Sequence, residues 1–294
     1  MYTYRFEDLL KTLGNVLRER VSPETFRWLE ENIFAKKDAA AFNTAFVLVP
    51  RKTGRNRIVP DDKLNATLYQ QRPGFSVEGW TVDRLARVWL IIQPGNTPQN
   101  EYFRRIENLF LAAEVNELVA LYSALPLLPW PELWKHRCSE GIRSNIADVL
   151  TAIMCNNPYA SENLDEPAWN QLVLKAFFTD KPIDQIVGLD QRSNKQLAQT
   201  LSDYAHERWA AHRAVNPMLW RCVGPFIDQQ LVGDIQKIAS SENPLENEAA
   251  ALSAVMSGNP SVLALIPADL LNAAKDGRIT WNQLAQKITN YVLQ

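Results

Sequence analysis

The chain has 294 residues, 46% of them hydrophobic and 22% charged, with 31 basic and 33 acidic side chains and a formal charge of −2. That composition supports one large or two small globular domains. It offers no basic field for a nucleic-acid backbone, and no apolar run approaches the ~20 residues of a membrane span.

Residues 4–20 place Phe6, Leu9, Leu10, Leu13, Val16 and Leu17 at spacings of three and four, the stripe of an amphipathic helix. Ser22 then reads as the N-cap of a second helix, with Pro23 at its first position and Glu24 in its first turn. A third, apolar helix is predicted over 38–49, stopped by Pro50. From Arg51 to Gly79 the pattern lapses. The basic run Arg51-Lys52-Thr53-Gly54-Arg55-Asn56-Arg57, then Pro60, Pro73-Gly74 and Gly79, mark loops around a short helix at 61–70. A connection this long is a candidate lid or partner-binding loop. Its basic run reads as a solvated loop or as a contact for an anion or acidic partner. Further helices are predicted at 80–92, 98–113, 114–124, 130–156, 165–179, 193–214, 216–223, 227–241, 244–257, 267–275 and 280–293, separated by Pro and Gly.

Strand signals are almost absent, so the fold class is all-α: an irregular helical bundle or a solenoid-like stack of antiparallel helices. No repeat of fixed period is found. Gly224-Pro225 and a modest fall in aromatic content divide a main helical domain, 1–225, from a C-terminal helical unit, 226–294, the alternative being one continuous domain. The three cysteines, Cys138, Cys155 and Cys222, have no paired metal spacing and no disulfide framework. Met1 to Glu7 lack the basic and apolar segments of a secretory leader. The expectation is a cytoplasmic, soluble protein.

Chemistry-bearing residues are densest between Leu201 and Arg213. This stretch reads as helix and carries Asp203, His206, Glu207, Arg208 and Arg213 beside Trp209. Asp203 and Glu207 are four apart and share a side. As a site, Asp203, His206 or Glu207 would be the acid or base, and Arg208 or Arg213 would hold an anion. As structure, the same residues form a partly buried ion network with Arg143, Lys175, Arg84 or Arg87, and Glu207→Gln then costs stability. Arg143, Lys175 and Trp169 complete the candidate ligand-binding set. Ser193 or Asn194 can N-cap this helix, with Asp190 adding charge at its positive end.

Other motifs carry less. Asp61-Asp62-Lys63-Leu64-Asn65 has the outline of a magnesium–diphosphate motif, but Asn65 replaces an acid and no second motif follows. It reads better as a helix start. His136 and Cys138, two apart, face different sides and cannot share a metal. No phosphate loop, Gly-x-Ser-x-Gly elbow or His-Glu-x-x-His pair is present, so neither metal nor cofactor is expected. The tryptophans, Trp80, Trp89, Trp130, Trp134, Trp169, Trp209 and Trp220, read mainly as core, or as the lining of an apolar pocket for a flat or prenylated molecule.

Several runs together resemble the EboA family of bacterial proteins: Gly79 to Val88, Glu117 to Pro129, Glu140 to Asn145, Asn157-Pro158-Tyr159, Trp169 to Phe178, Gly188 to Arg192, and Tyr204 to Val215 with Trp220. The resemblance covers about residues 80–225, and the run at 204–213 is its most specific part. It implies a component of an ebo gene cluster. The other members of such clusters resemble a prenyltransferase, a sugar-phosphate cyclase, a metal-dependent hydrolase, an isomerase-like barrel protein and a phosphodiesterase. They are associated with making a small metabolite or moving it toward the periplasm. No catalytic motif carries over residue by residue. The function expected is a helical protein binding a small metabolite or other ebo-cluster proteins. The alternative is an enzyme acting on a prenylated, cyclic or aromatic metabolite, by terpene-cyclase-like or acid–base chemistry, in an all-α pocket.

Overall fold

The computed structural model describes residues 4–292, which build an all-α protein. Among these residues there is no strand, and Arg57 and Thr81 form an isolated bridge. The chain divides after Asp165 into two compact units. The first contains α1 (Phe6–Arg18), α2 (Pro23–Glu31), α3 (Ala39–Thr53), α4 (Asp62–Gln71), α5 (Val82–Ile91), α6 (Gln99–Ala112), α7 (Val115–Ala124), α8 (Lys135–Ile142), α9 (Ala147–Met154) and α10 (Tyr159–Asn163). The second contains α11 (Glu166–Phe178), α12 (Lys195–Ala210), α13 (Trp220–Val223), α14 (Val232–Ala239), α15 (Pro244–Ser257), α16 (Pro260–Leu263), α17 (Ala268–Lys275) and α18 (Trp281–Val292). Gly224-Pro225, where composition placed a boundary, lies inside the second unit. Its 3-10 turn, Gly224–Phe226, packs on α15.

Each unit is organised by a helix buried on nearly every side. In the first it is α5, where only Arg84 of ten residues escapes full burial. Helices α1, α3 and α7 pack around it. A helix apolar all round belongs at a core, yet α5 also buries Asp83 and Arg87. Arg87 Nη1 donates to Asp83 Oδ2 at 2.9 Å, and Nη2 lies 3.7 Å from Glu117 Oε1 on α7. In the second unit the central helix is α15, whose buried run Ala249–Ala254 is mostly alanine. Small side chains let neighbours approach closely. A Cβ on Gly224 would lie 3.1 Å from the Ser253 backbone, and Ser253 Oγ donates to the Trp220 carbonyl at 3.1 Å.

Local signals set several helix starts. Ser22, Asp38, Asp61 and Asn194 each cap a helix by accepting a backbone N–H two or three residues inside it. Asp61 is therefore occupied as a cap, and Asp62 lies in the first turn of α4.

Two expectations fail. Pro50 does not stop α3, which runs on to Thr53. A proline inside a helix removes the N–H that would bond the carbonyl four residues back. That carbonyl belongs to Phe46, and Arg87 Nε donates to it at 3.2 Å. The buried arginine supplies the hydrogen bond that the proline cannot. The helix predicted over 130–156 is instead a 3-10 turn, Pro131–Trp134, followed by α8 and α9. The break after Ile142 lets the two helices pack on each other. Gly141 sits at their crossing, where a Cβ would collide with the Ile153 side chain.

Arg87→Met takes the cation from Asp83 and Glu117 and leaves the Phe46 carbonyl without its donor, and should cost about 3–5 kcal/mol in urea unfolding. In a Pro50→Ala background the new amide takes the Phe46 carbonyl. Arg87→Met should then cost about 1 kcal/mol less. Additive costs would show that the proline and the arginine are not linked.

Candidate functional site

The first unit holds a cavity of about 490 Å³, within the size range of small-molecule pockets. It forms where α7 ends and the chain turns through Leu125-Pro126-Leu127-Leu128-Pro129-Trp130-Pro131. Tyr4, Arg72, Tyr159 and Glu162 close it.

Prolines cannot donate, so each leaves only a carbonyl to satisfy. All three carbonyls here are taken by side chains. The Pro126 carbonyl accepts from Arg72 Nε and from the Tyr4 hydroxyl, each at 3.2 Å. The Pro129 carbonyl accepts from Trp134 Nε1 at 2.8 Å, and the Pro131 carbonyl from the Tyr159 hydroxyl at 2.5 Å. The turn is thus pinned at three points. Between two of them, Trp130 has φ +54° and ψ +63°, the left-handed region. For a bulky aromatic this is a true outlier, costing about 1–3 kcal/mol.

The charges in the pocket are matched. Arg72 is buried, and its guanidinium meets Glu162 in two parallel hydrogen bonds of 2.6 Å each. It also stacks over the Tyr4 ring, 4.6 Å from the centroid. Burial pushes the phenols of Tyr4 and Tyr159 well above their ordinary range, so both stay neutral donors. Glu162 remains about half exposed, at 45%, and is the lining carboxylate open to a ligand.

The predicted cluster lies mostly on α12 and divides between its faces. Asp203, His206 and Glu207 are exposed, and Asp203 accepts from Gln199 Nε2 at 3.1 Å. Glu207 forms no ion pair among the described residues. His206 Nε2 lies 2.6 Å from Oδ1 of buried Asp234 on α14, and Ser202 donates to Asp234 Oδ2 at 2.6 Å. Trp209 stacks on Trp220 with ring centroids 5.7 Å apart, and Lys237 Nζ lies 4.3 Å from its centroid. Arg208 donates twice to the Ala214 carbonyl, closing the helix end where His212 turns left-handed. Arg213 is exposed just beyond.

The other predicted residues lie on other helices. Lys175 is half-buried on α11. Trp169, on the same helix, is fully buried with Arg192 over its ring at 5.0 Å. Arg143 ends α8 in the first unit and lines a polar hollow of about 350 Å³ with Tyr122, Arg137 and Glu140. The only close acid–base couple formed by the predicted catalytic residues among the described residues is His206 with Asp234. Sequence reasoning misses Asp234, and it misses Arg72 and Glu162 as well. Their partners lie 28 and 90 positions away. No His, Cys, Asp or Glu group that could hold a metal is found among the described residues.

A family model described as "Metabolite traffic protein EboA" matches residues 9–224. The chain belongs to the EboA family. No curated protein and no solved structure matches it. The EboA match takes in every pocket residue named above except Tyr4. It takes in α12 but ends before Asp234. No helix among the described residues is long and apolar enough to cross a membrane.

Asp234→Ala leaves Ser202 without its acceptor and His206 without its anchor, and should lower stability by about 1–3 kcal/mol. Exposed Glu207 carries no such load, so Glu207→Gln should stay within about 0.5 kcal/mol, reversing the expectation of a cost. Paired thermal melts of the two variants test this assignment.

Proposed function

We propose that this EboA protein is a cytosolic carrier in an ebo-type secondary-metabolite pathway, holding a small ring-bearing metabolite in the Trp130 pocket and presenting it to partner proteins. The observation that carries the reading is the strained Trp130. Strain at a bulky residue persists only where surroundings over-determine it, and it concentrates at functional sites. Here three hydrogen-bonded prolines impose it, and the result is an apolar wall facing Arg72 and Glu162.

The lining favours a neutral ligand over an anion. Glu162 already neutralises Arg72, so a phosphate or carboxylate would have to displace a two-fold charge-assisted contact. Hydroxyl or N–H groups can instead donate to the half-exposed Glu162. Two neutral phenols and a carboxylate held by arginine form a binding surface. The enzymatic alternative rests on the His206–Asp234 couple, where a buried carboxylate would orient an imidazole. Its carboxylate lies outside the family match, which favours the carrier.

Native mass spectrometry of the protein from its own host should show a bound small molecule. Trp130→Gly relieves the backbone while removing the wall, so it should lose that adduct without losing thermal stability. By calorimetry, 2-naphthol should bind at least about tenfold more tightly than 2-naphthyl phosphate, a difference of about 1.4 kcal/mol. An adduct that survives Trp130→Gly, or a preference for the phosphate, would sink the pocket or its ligand class respectively. Turnover of the bound molecule that stops with His206→Asn would favour the enzyme.

A further inference from the structure

We propose that the C-terminal end of α3 and the loop after it dock on an anionic lipid surface. Between residues 51 and 63 stand five basic side chains and two acidic ones, in a protein whose formal charge is −2. Arg51, Lys52, Arg55 and Arg57 are all exposed, and none forms an ion pair among the described residues. Buried arginines of the same unit, Arg72, Arg87 and Arg137, are each paired. Asp61, one of the two acids, is engaged in capping α4.

Apolar side chains stand beside these cations. From Ala39 to Pro50 helix α3 carries no charge at all. Val47 is 57% exposed, one turn before Arg51 on the same face. The loop then runs extended, its backbone joined to Trp80 and Val82. Ile58 and Pro60 turn inward, and Arg57 and Val59 turn outward. Val59 is 78% exposed. From α2, half-buried Trp28 sits beside Lys52, with Nζ 5.7 Å from its ring.

Cations interleaved with outward aliphatic groups and a tryptophan make the composition of an interfacial segment. An acidic protein would have to match both the cations and the outward valines in one fixed register. A nucleic acid would gain nothing from Val47 and Val59. A fluid anionic leaflet requires no complementary shape and accepts both kinds of group.

The test is co-sedimentation with vesicles of phosphatidylcholine alone and of phosphatidylcholine mixed with phosphatidylglycerol. Only the mixed vesicles should carry the protein down, and added salt should release it. The variant Arg51→Gln/Lys52→Gln/Arg55→Gln/Arg57→Gln should weaken binding at least about 100-fold, with its melting temperature unchanged. Val47→Ser/Val59→Ser, charges intact, should weaken it about tenfold. Equal sedimentation with both vesicle types, or with neither, overturns the proposal. So does retention on polyglutamate or an oligonucleotide that matches vesicle binding and ignores the valine substitutions. Neither variant touches the Trp130 pocket, so failure here leaves that reading standing.

Discussion

A buried guanidinium has to be neutralised and hydrogen-bonded, or the helix that carries it cannot sit in a core. Arg87 meets that demand with groups from three helices: Asp83 on its own α5, Glu117 on α7 and the Phe46 carbonyl on α3. Both surfaces proposed for the first unit depend on it. Helix α7 leads directly into the proline turn that carries Trp130. Helix α3, continuing past Pro50, places Arg51 and Lys52 in its last turn. A proline that would otherwise end a helix is tolerated because a side chain from the next layer repairs the ladder. The basic end of that helix is thereby held in fixed relation to the core.

Helical class and several helix starts were legible because they are local. Caps, first-turn acids and the stripe on α1 each depend on residues within a few positions. Failures occurred where a local rule met a tertiary partner. Pro50 is a stop signal until Arg87 supplies the missing donor. The stretch 130–156 looks continuous until Gly141 shows how closely α9 and Tyr122 approach. Arg87 lies far outside any window around Pro50, and Tyr122 lies outside the stretch 130–156 itself, so helical periodicity does not contain the answer.

The candidate site was less legible, for a related reason. Charge density drew attention to residues 203–213, but a helix distributes neighbours around its circumference. There, exposed acids stand on one side while His206 reaches Asp234 from another helix. Arg72 is ordinary in sequence; its role appears only when Glu162, 90 positions on, forms the matching fork. One signal was available. A run with Pro126, Pro129 and Pro131 around a tryptophan has few backbone donors and little freedom, which suits a rigid wall better than a helix. The family resemblance included Leu125 to Pro129 but stopped one residue short of Trp130.

A carrier differs from a storage protein in that it must let go. Affinity rises most when a buried unpaired charge on the protein meets its opposite on the ligand, and such contacts also slow release. The Trp130 pocket withholds that contact, because Arg72 commits its two-fold fork to Glu162. What remains for a ligand is apolar area, ring stacking and single hydrogen bonds, which favour moderate affinity and rapid exchange. The basic end of α3 shows the opposite arrangement, with cations left unpaired on the surface. Under the proposed reading, strong electrostatics are reserved for locating the protein at its destination, and the pocket is left neutral enough for its cargo to leave on arrival.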